Sequence, residues 1–223
     1  MFNLPSPAQC RPCFQNDGYV LVRDALQATK ARALAGTAER ITRSAAVSID
    51  RRDQGAALAY SVVTGERIQR DARELFELYT SPDLLAWVRA VTNCATVARS
   101  RHLRSAVNIN CLTRRGEEYP QHRDAVPYTA LLFLSDVAAD AGGEFVIDSA
   151  AGIRAAVRPR LGNLLLMDGS RCPHAVAPLR RDAWRLTMPM VFPQRVIQRP
   201  EGLDEYLYGA SGSRLPRADA SAS

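Results

Sequence analysis

At 223 residues, 47% hydrophobic and 23% charged, the chain is long enough for one well-buried core and has the composition of a soluble globular protein. No apolar run reaches bilayer-spanning length, and Met1–Pro5 has neither the basic region nor the apolar stretch of a secretory signal, so a cytoplasmic protein without a membrane partner is expected. The net charge of +6 is almost all arginine, with Lys30 the single lysine, and its scattered pairs (Arg51-Arg52, Arg114-Arg115, Arg180-Arg181) lack interleaved aromatics, which describes a solvated surface rather than a nucleic-acid groove.

Residues 1–16, rich in Pro, Cys and polar side chains, are expected to cover the surface. Cys10-Arg11-Pro12-Cys13 is half a metal or redox motif without a second half. The five cysteines make no disulfide framework, so this pair is read as reduced and without an assigned role. Residues 18–22 predict a short strand, and Asp24 caps a helix from about Ala25 to Arg43. Residues 44–57 read as a loop with its tip at 51–55, as compatible with a lid as with an inert connection. Ala72, Leu75, Phe76 and Tyr79 stand at helical spacing, and Ser81-Pro82 supplies N-cap and first-turn proline for a helix to about Val91. These helices are expected to form an outer layer. Arg67, just before them, is a candidate substrate contact.

From Ala95 the hydrophobic period becomes two. Candidate strands are 95–101, 105–112, 128–135, 143–148, 154–158, 164–168, 174–177 and 183–192, separated by turn signals such as Gly142-Gly143, Gly162-Asn163 and Asp168-Gly169. Many short strands at near-regular spacing mean a sandwich or barrel, and eight suit a jelly roll. The expected fold class is α+β, mainly β, in one domain over 1–208 with its β core at about 95–192. The Ser-, Ala- and Arg-rich residues 209–223 are expected to be a disordered tail.

Chemistry concentrates between His122 and Arg185. Along an extended segment, residues two apart share a face, with Cα atoms roughly 6.6 Å apart, so His122 and Asp124 can converge on one ion. His174 can bring the third ligand. Two imidazoles and one carboxylate with open positions are the facial ligand set of non-haem Fe(II) oxygenases. Two of the chain's three histidines stand where this scheme needs them.

On strand 183–192 the even positions Trp184, Leu186, Met188 and Met190 are apolar enough to pack on helices, which turns Arg185 and Thr187 toward the interior. If residues 178–181 are the loop of a hairpin, Arg185 lies opposite His174 and the two share one cavity. There Arg185, aided by Thr187, could grip the distal carboxylate of a 2-oxoglutarate cosubstrate. The formal charges of Fe(II), Asp124, 2-oxoglutarate and Arg185 sum to zero, so the assembly can be buried without a stranded charge. Asn108 and Asn110 share a face of their strand, where they either line a polar pocket or satisfy neighbouring backbone. Tyr128 begins an apolar strand, either leaning toward the metal or standing as a rim tyrosine.

His122-x-Asp124, Pro127-Tyr128-Thr129, residues 131–136 (LLFLSD), Gly142-Gly143-Glu144-Phe145, residues 164–169 (LLLMDG), His174 and Trp184-Arg185 resemble the Fe(II)/2-oxoglutarate-dependent oxygenases with a double-stranded β-helix. The wording is most similar to the branch of radical halogenases and hydroxylases of free amino acids. That resemblance implies a cupin-like β-helix with the N-terminal helices outside, Fe(II), 2-oxoglutarate and O2 as cofactors, and release of succinate and CO2. The halogenases replace the metal-binding carboxylate with a small residue. Asp124 fills that position here, which implies hydroxylation of an amino acid or related small natural-product intermediate. The apolar run Met188–Phe192 offers no partner for a lysine-like side chain. Two other readings stay open: a nucleic-acid repair dioxygenase, which would carry a second arginine soon after Arg185 whereas the next is Arg195, and a non-catalytic jelly-roll binding protein.

Overall fold

The computed structural model describes residues 2–54, 57–194 and 201–209. Helices α1 (Pro7–Asp17), α2 (Ala28–Ala45), α3 (Gly65–Asp71), α4 (Arg73–Thr80), α5 (Pro82–Thr92) and α6 (Leu103–Ala106) are interleaved with β1 (Tyr19–Val22), β2 (Val47–Asp50) and β3 (Ala59–Val63). Then follow β4 (Ile109–Leu112), β5 (Tyr119–His122), β6 (Tyr128–Phe133), β7 (Phe145–Asp148), β8 (Arg154–Val157), β9 (Leu164–Asp168), β10 (His174–Val176), β11 (Arg185–Phe192) and a last helix, α7 (Leu203–Tyr208). The strands build two antiparallel sheets, β1-β9-β6-β11-β4-β3-β2 and β5-β10-β7-β8. This is the expected jelly roll with helices on its outer face.

Alternation along the strands decides what each face meets. Strand β6 is buried at every position, as a strand covered on both sides must be. Its Ala130 and Leu132 join Leu34, Ile41, Leu75, Leu84, Val88 and the even residues of β11 under the helices. Its Leu131 and Phe133 meet Phe145 and Ile147 of β7 between the sheets. Helix α2 presents Ala31, Leu34, Ala38 and Ile41 to the sheet, the i, i+3, i+4 stripe of an amphipathic helix. Each fully buried leucine there contributes about 1.5–3 kcal/mol relative to exposure. As expected, Pro82 opens α5 and Ser81 Oγ accepts from Leu84 N, 3.4 Å away.

Several expectations need correction. Residues 7–17, expected only as surface cover, form helix α1: Pro7 sits in its first turn, Ser6 N donates to Gln9 Oε1 (3.1 Å), and Cys10 and Phe14 face the core. Cys10 and Cys13 are both free thiols. Asp24 caps nothing: it takes φ 50° and its N–H goes to Asn163 Oδ1, while α2 starts after Gln27. The stretch 44–57 contains β2, paired with β3 from Val47↔Val62 to Asp50↔Ala59, and a 3-10 turn over Arg52–Gln54. The helix around residue 72 is two helices, parted where Ala72 leaves helical geometry (φ −148°, ψ 60°).

The strand expected at 95–101 does not form. Val97 is buried singly, and the segment is tied down by Arg89 Nε to Val97 O (2.7 Å) and Ala98 N to Pro193 O (2.9 Å). The first residues of the 105–112 strand belong to α6 instead. Strands β10 and β11 are no hairpin: they lie in different sheets, β10 between β5 and β7, β11 between β4 and β6. Among the described residues no helix is long and apolar enough to cross a membrane. Of the tail expected at 209–223, Gly209 is ordered as the C-cap of α7, its N–H on Glu205 O (2.9 Å), and 210–223, like Arg195, lie outside the described residues.

Candidate metal centre

The two sheets enclose a cavity of about 460 Å³. His122 closes β5 and pairs directly with His174, the first residue of β10. Asp124 follows in the next loop, held by its own N–H to Gly169 O (2.9 Å). Ligand atoms of these three side chains all lie within 4.8 Å of one another, the single such cluster among the described residues.

Backbone carbonyls orient both imidazoles. His122 Nδ1 is 2.9 Å from Pro120 O, and His174 Nδ1 is 2.9 Å from Cys172 O. Each Nδ1–H therefore donates to the chain and leaves the Nε2 lone pair free for an ion. Both Nε2 atoms stand 3.6 Å from the same oxygen, Asp124 Oδ1. The other carboxylate oxygen, Oδ2, accepts from Thr129 Oγ1 at 2.9 Å. Burial is the largest influence on Asp124 and pushes its pKa up, but the two imidazoles that face its Oδ1 outweigh it and hold the carboxyl well below its ordinary value. For His174 burial pushes down, and Asp124 outweighs it, so the net direction is upward.

Gly169 makes this geometry possible. A Cβ there would stand 2.2 Å from Asp124 Oδ2, so only a glycine lets the carboxylate lie against that backbone.

On the opposite sheet Arg185 is 1% exposed. Its Nε donates to Gly143 O (2.7 Å) and its Nη1 to Thr187 Oγ1 (3.4 Å), while the buried Nη2 has no hydrogen-bond partner. Burial lowers its pKa to about 10, so the group is a cation at neutral pH. Gly143 takes φ 71°, and a Cβ there would meet Arg185 Cδ at 3.1 Å. A buried cation with one donor unspent, on a residue that lines a cavity, calls for an anion. A 2-oxoglutarate carboxylate fits that need, and two imidazole Nε2 atoms plus one carboxylate oxygen fit Fe(II).

The odd residues of β11 line the cavity and the even ones enter the helical core. The face assignment of Arg185 and Thr187 thus agrees with the sequence pattern, although the hairpin invoked for it is absent. Asn108 and Asn110 both line the cavity. Asn108 also serves the backbone, donating Nδ2 to Arg104 O at 2.8 Å. Tyr128 does not lean toward the metal: it is buried on the helical side against Phe14, with its hydroxyl accepting from Gln194 Nε2 (2.9 Å). Arg67 lies outside the cavity lining, on α3 beside Asp71 (3.6 Å).

Sequence reasoning missed four contributors. Thr129 and Gly169 had signals, a motif threonine and an Asp-Gly turn. Tyr119, whose ring lies 4.7 Å from the His122 ring, and Tyr60, 5.1 Å from Tyr119, had none, because their strands were not recognised.

Residues 14–146 match the family model described as phytanoyl-CoA dioxygenase. Among curated proteins nothing matches the sequence. Of solved structures, the epimerase SnoN in complex with Fe3+, alpha ketoglutarate and nogalamycin RO is 17% identical, with TM-score 0.66 over 84% of this chain and 83% of that one. A Pseudomonas putida prolyl-4-hydroxylase is 19% identical, with TM-score 0.60 over 85% and 100%. An oxidoreductase of the 2OG-Fe(II) oxygenase family from Burkholderia pseudomallei is 14% identical, with TM-score 0.65 over 87% and 94%. At these identities the likeness is one of fold.

Proposed function

Because the chain belongs to the phytanoyl-CoA dioxygenase family, and is thereby an Fe(II)/2-oxoglutarate-dependent oxygenase, we propose that it hydroxylates an amino acid or a related small natural-product intermediate. His122, Asp124 and His174 are the proposed iron ligands, and Arg185 with Thr187 the proposed cosubstrate clamp. When bound, Fe(II) with 2-oxoglutarate supplies O2 activation coupled to oxidative decarboxylation, giving succinate and CO2.

The chain's part is to bind, orient and exclude water. Pro120 O and Cys172 O fix the two imidazole tautomers, and Thr129 turns Asp124 so that one oxygen faces the histidines. The free Nη2 of Arg185 gives a distal carboxylate a buried, charge-assisted partner. Pro189 and Val191, further along the same face, offer apolar contact to the carbon body of a substrate.

The observation that carries this reading is the pairing, within one cavity, of a three-ligand cluster with a buried, half-satisfied arginine. Asp124 favours hydroxylation over halogenation because the carboxylate fills the position a halide would need. The test is 2-oxoglutarate-dependent succinate release with a panel of amino acids and derivatives. Wild type is expected to release succinate with one of them, with a matching product heavier by one oxygen, and Asp124→Ala to release none. Equal release by the variant would overturn the ligand assignment.

A further inference from the structure

The metal and cosubstrate residues account for one end of the cavity. Helix α7 also lines the cavity, contributing Leu203, Tyr206, Leu207 and Tyr208. Glu205 O accepts from the C-cap Gly209 N (2.9 Å), whereas the other terminal carbonyls of a helix have no partner within it; the rest of the protein supplies further donors. Arg51 Nη2 donates to the carbonyls of Glu205 (3.3 Å) and Tyr206 (3.4 Å), Tyr60 Oη to Leu207 O, and Arg104 Nη2 to Gly209 O. Two of these donors are cations at a helix C-terminus, the favourable sign. The Arg51 guanidinium also stands 5.4 Å from the Tyr206 ring centroid. Leu207 and Tyr208 also pack against the cluster of Ile49, Leu58 and Tyr60, so α7 is held by its carbonyls and by apolar contact while it lines the cavity.

Charge in the lining is one-sided. Among the described residues of the lining, Asp124 is the only carboxylate, and Arg123 and Arg185 are the only guanidinium groups. With Asp124 on the iron and Arg185 on the cosubstrate, Arg123 remains. It is exposed and forms no hydrogen bond or ion pair among the described residues. An ammonium group entering this cavity finds no counter-charge, and burying it unpaired is costly. A carboxylate finds a guanidinium fork, which suits it in shape as well as charge. The rings of Tyr60, Tyr119, Tyr206 and Tyr208 offer faces and edges to a flat apolar body.

We propose that α7 is the wall that sets substrate choice, and that the substrate is a carboxylate with an aromatic or alicyclic body and no free ammonium group, such as an N-blocked aromatic amino acid. This rests on the iron and 2-oxoglutarate reading above and narrows it. Tyr206 and Leu207 contact the body, and Arg123 holds the carboxylate at the mouth.

The test is calorimetric titration of the full chain, loaded anaerobically with Fe(II) and 2-oxoglutarate, with N-acetylphenylalanine, phenylalanine and phenethylamine. The visible charge-transfer band of the chelate is followed in parallel. N-acetylphenylalanine is expected to bind at least 10-fold more tightly than the other two. Tyr206→Ala and Arg123→Gln should each weaken it at least 5-fold, and Arg51→Ala, which removes two of the four side-chain hydrogen bonds that seat α7, should do the same, all with the band retained. Equal or tighter binding of phenylalanine or phenethylamine, no binding of any probe, or unchanged affinity in Tyr206→Ala and Arg51→Ala overturns the proposal while a normal band leaves the iron reading standing. A wild-type complex without the band overturns both.

Discussion

The two faces of β11 do opposite work with the same backbone. Leu186, Met188, Met190 and Phe192 are packed under the helices, whereas Arg185, Thr187, Pro189 and Val191 line the cavity. One face gains from every buried methylene. The other buries a cation and leaves one of its donors unspent, a cost that an anionic ligand would offset. Stability and function are therefore separable along one strand, residue by residue.

The largest effect expected is on the packed face. Met188 is fully buried, so Met188→Ala should cost about 2–5 kcal/mol. In a chain of this length that lowers the melting temperature by about 5–15 °C, read by thermal denaturation, with Fe(II) and 2-oxoglutarate binding unchanged in the folded protein. Next comes Arg185→Ala on the opposite face. Loss of a charge-assisted clamp at about 2–3 kcal/mol should weaken 2-oxoglutarate binding roughly 30- to 150-fold. Removing a buried, half-satisfied cation should leave the melting temperature of the ligand-free chain unchanged or higher. A large fall in melting temperature with intact cosubstrate affinity would reverse the comparison.

Smaller in effect, Gly169→Ala probes the ligand geometry itself. Its φ is not in the left-handed region, so the backbone accepts alanine, yet the new Cβ collides with Asp124. Fe(II) affinity should fall about 10-fold or more, in the range found when groups that orient a metal ligand are disturbed, with little change in melting temperature. Smallest of all, Thr187→Val removes the long contact to Arg185 Nη1. It should raise the 2-oxoglutarate dissociation constant about 3- to 5-fold, a neutral hydrogen bond's worth.

How much of this was legible depended on whether a residue's role was repeated along its element. Period-two alternation showed the faces of β11, because every second residue repeats the same message. The His122, Asp124, His174 set was legible through scarcity of histidine and the two-residue spacing. Strand β5 was not, because Pro120 within Tyr119–His122 argues against a strand; the structure resolves this by placing β5 at the edge of its sheet, where a missing donor is tolerated. Helix α1 was hidden by its composition, since its Ser6–Gln9 contact is one residue pair in a stretch that otherwise reads as loop. The supposed strand at 95–101 shows the converse: local alternation with one buried residue, Val97, and no ladder partner. The hairpin expected between β10 and β11 failed because short connections usually join neighbours in one sheet, whereas this one crosses between sheets. Arg185 and His174 still share the cavity, facing each other from opposite walls.

The central claim is that one cavity holds Fe(II) on His122, Asp124 and His174 and 2-oxoglutarate on Arg185. Anaerobic titration of the protein with Fe(II) in the presence of 2-oxoglutarate, followed by visible absorption, tests it most directly. The account predicts a weak charge-transfer band saturating at one equivalent of iron in wild type, absent in Asp124→Ala and shifted to far higher 2-oxoglutarate concentration in Arg185→Ala. A folded wild-type protein that develops no band, or a band that survives in Asp124→Ala, would contradict it.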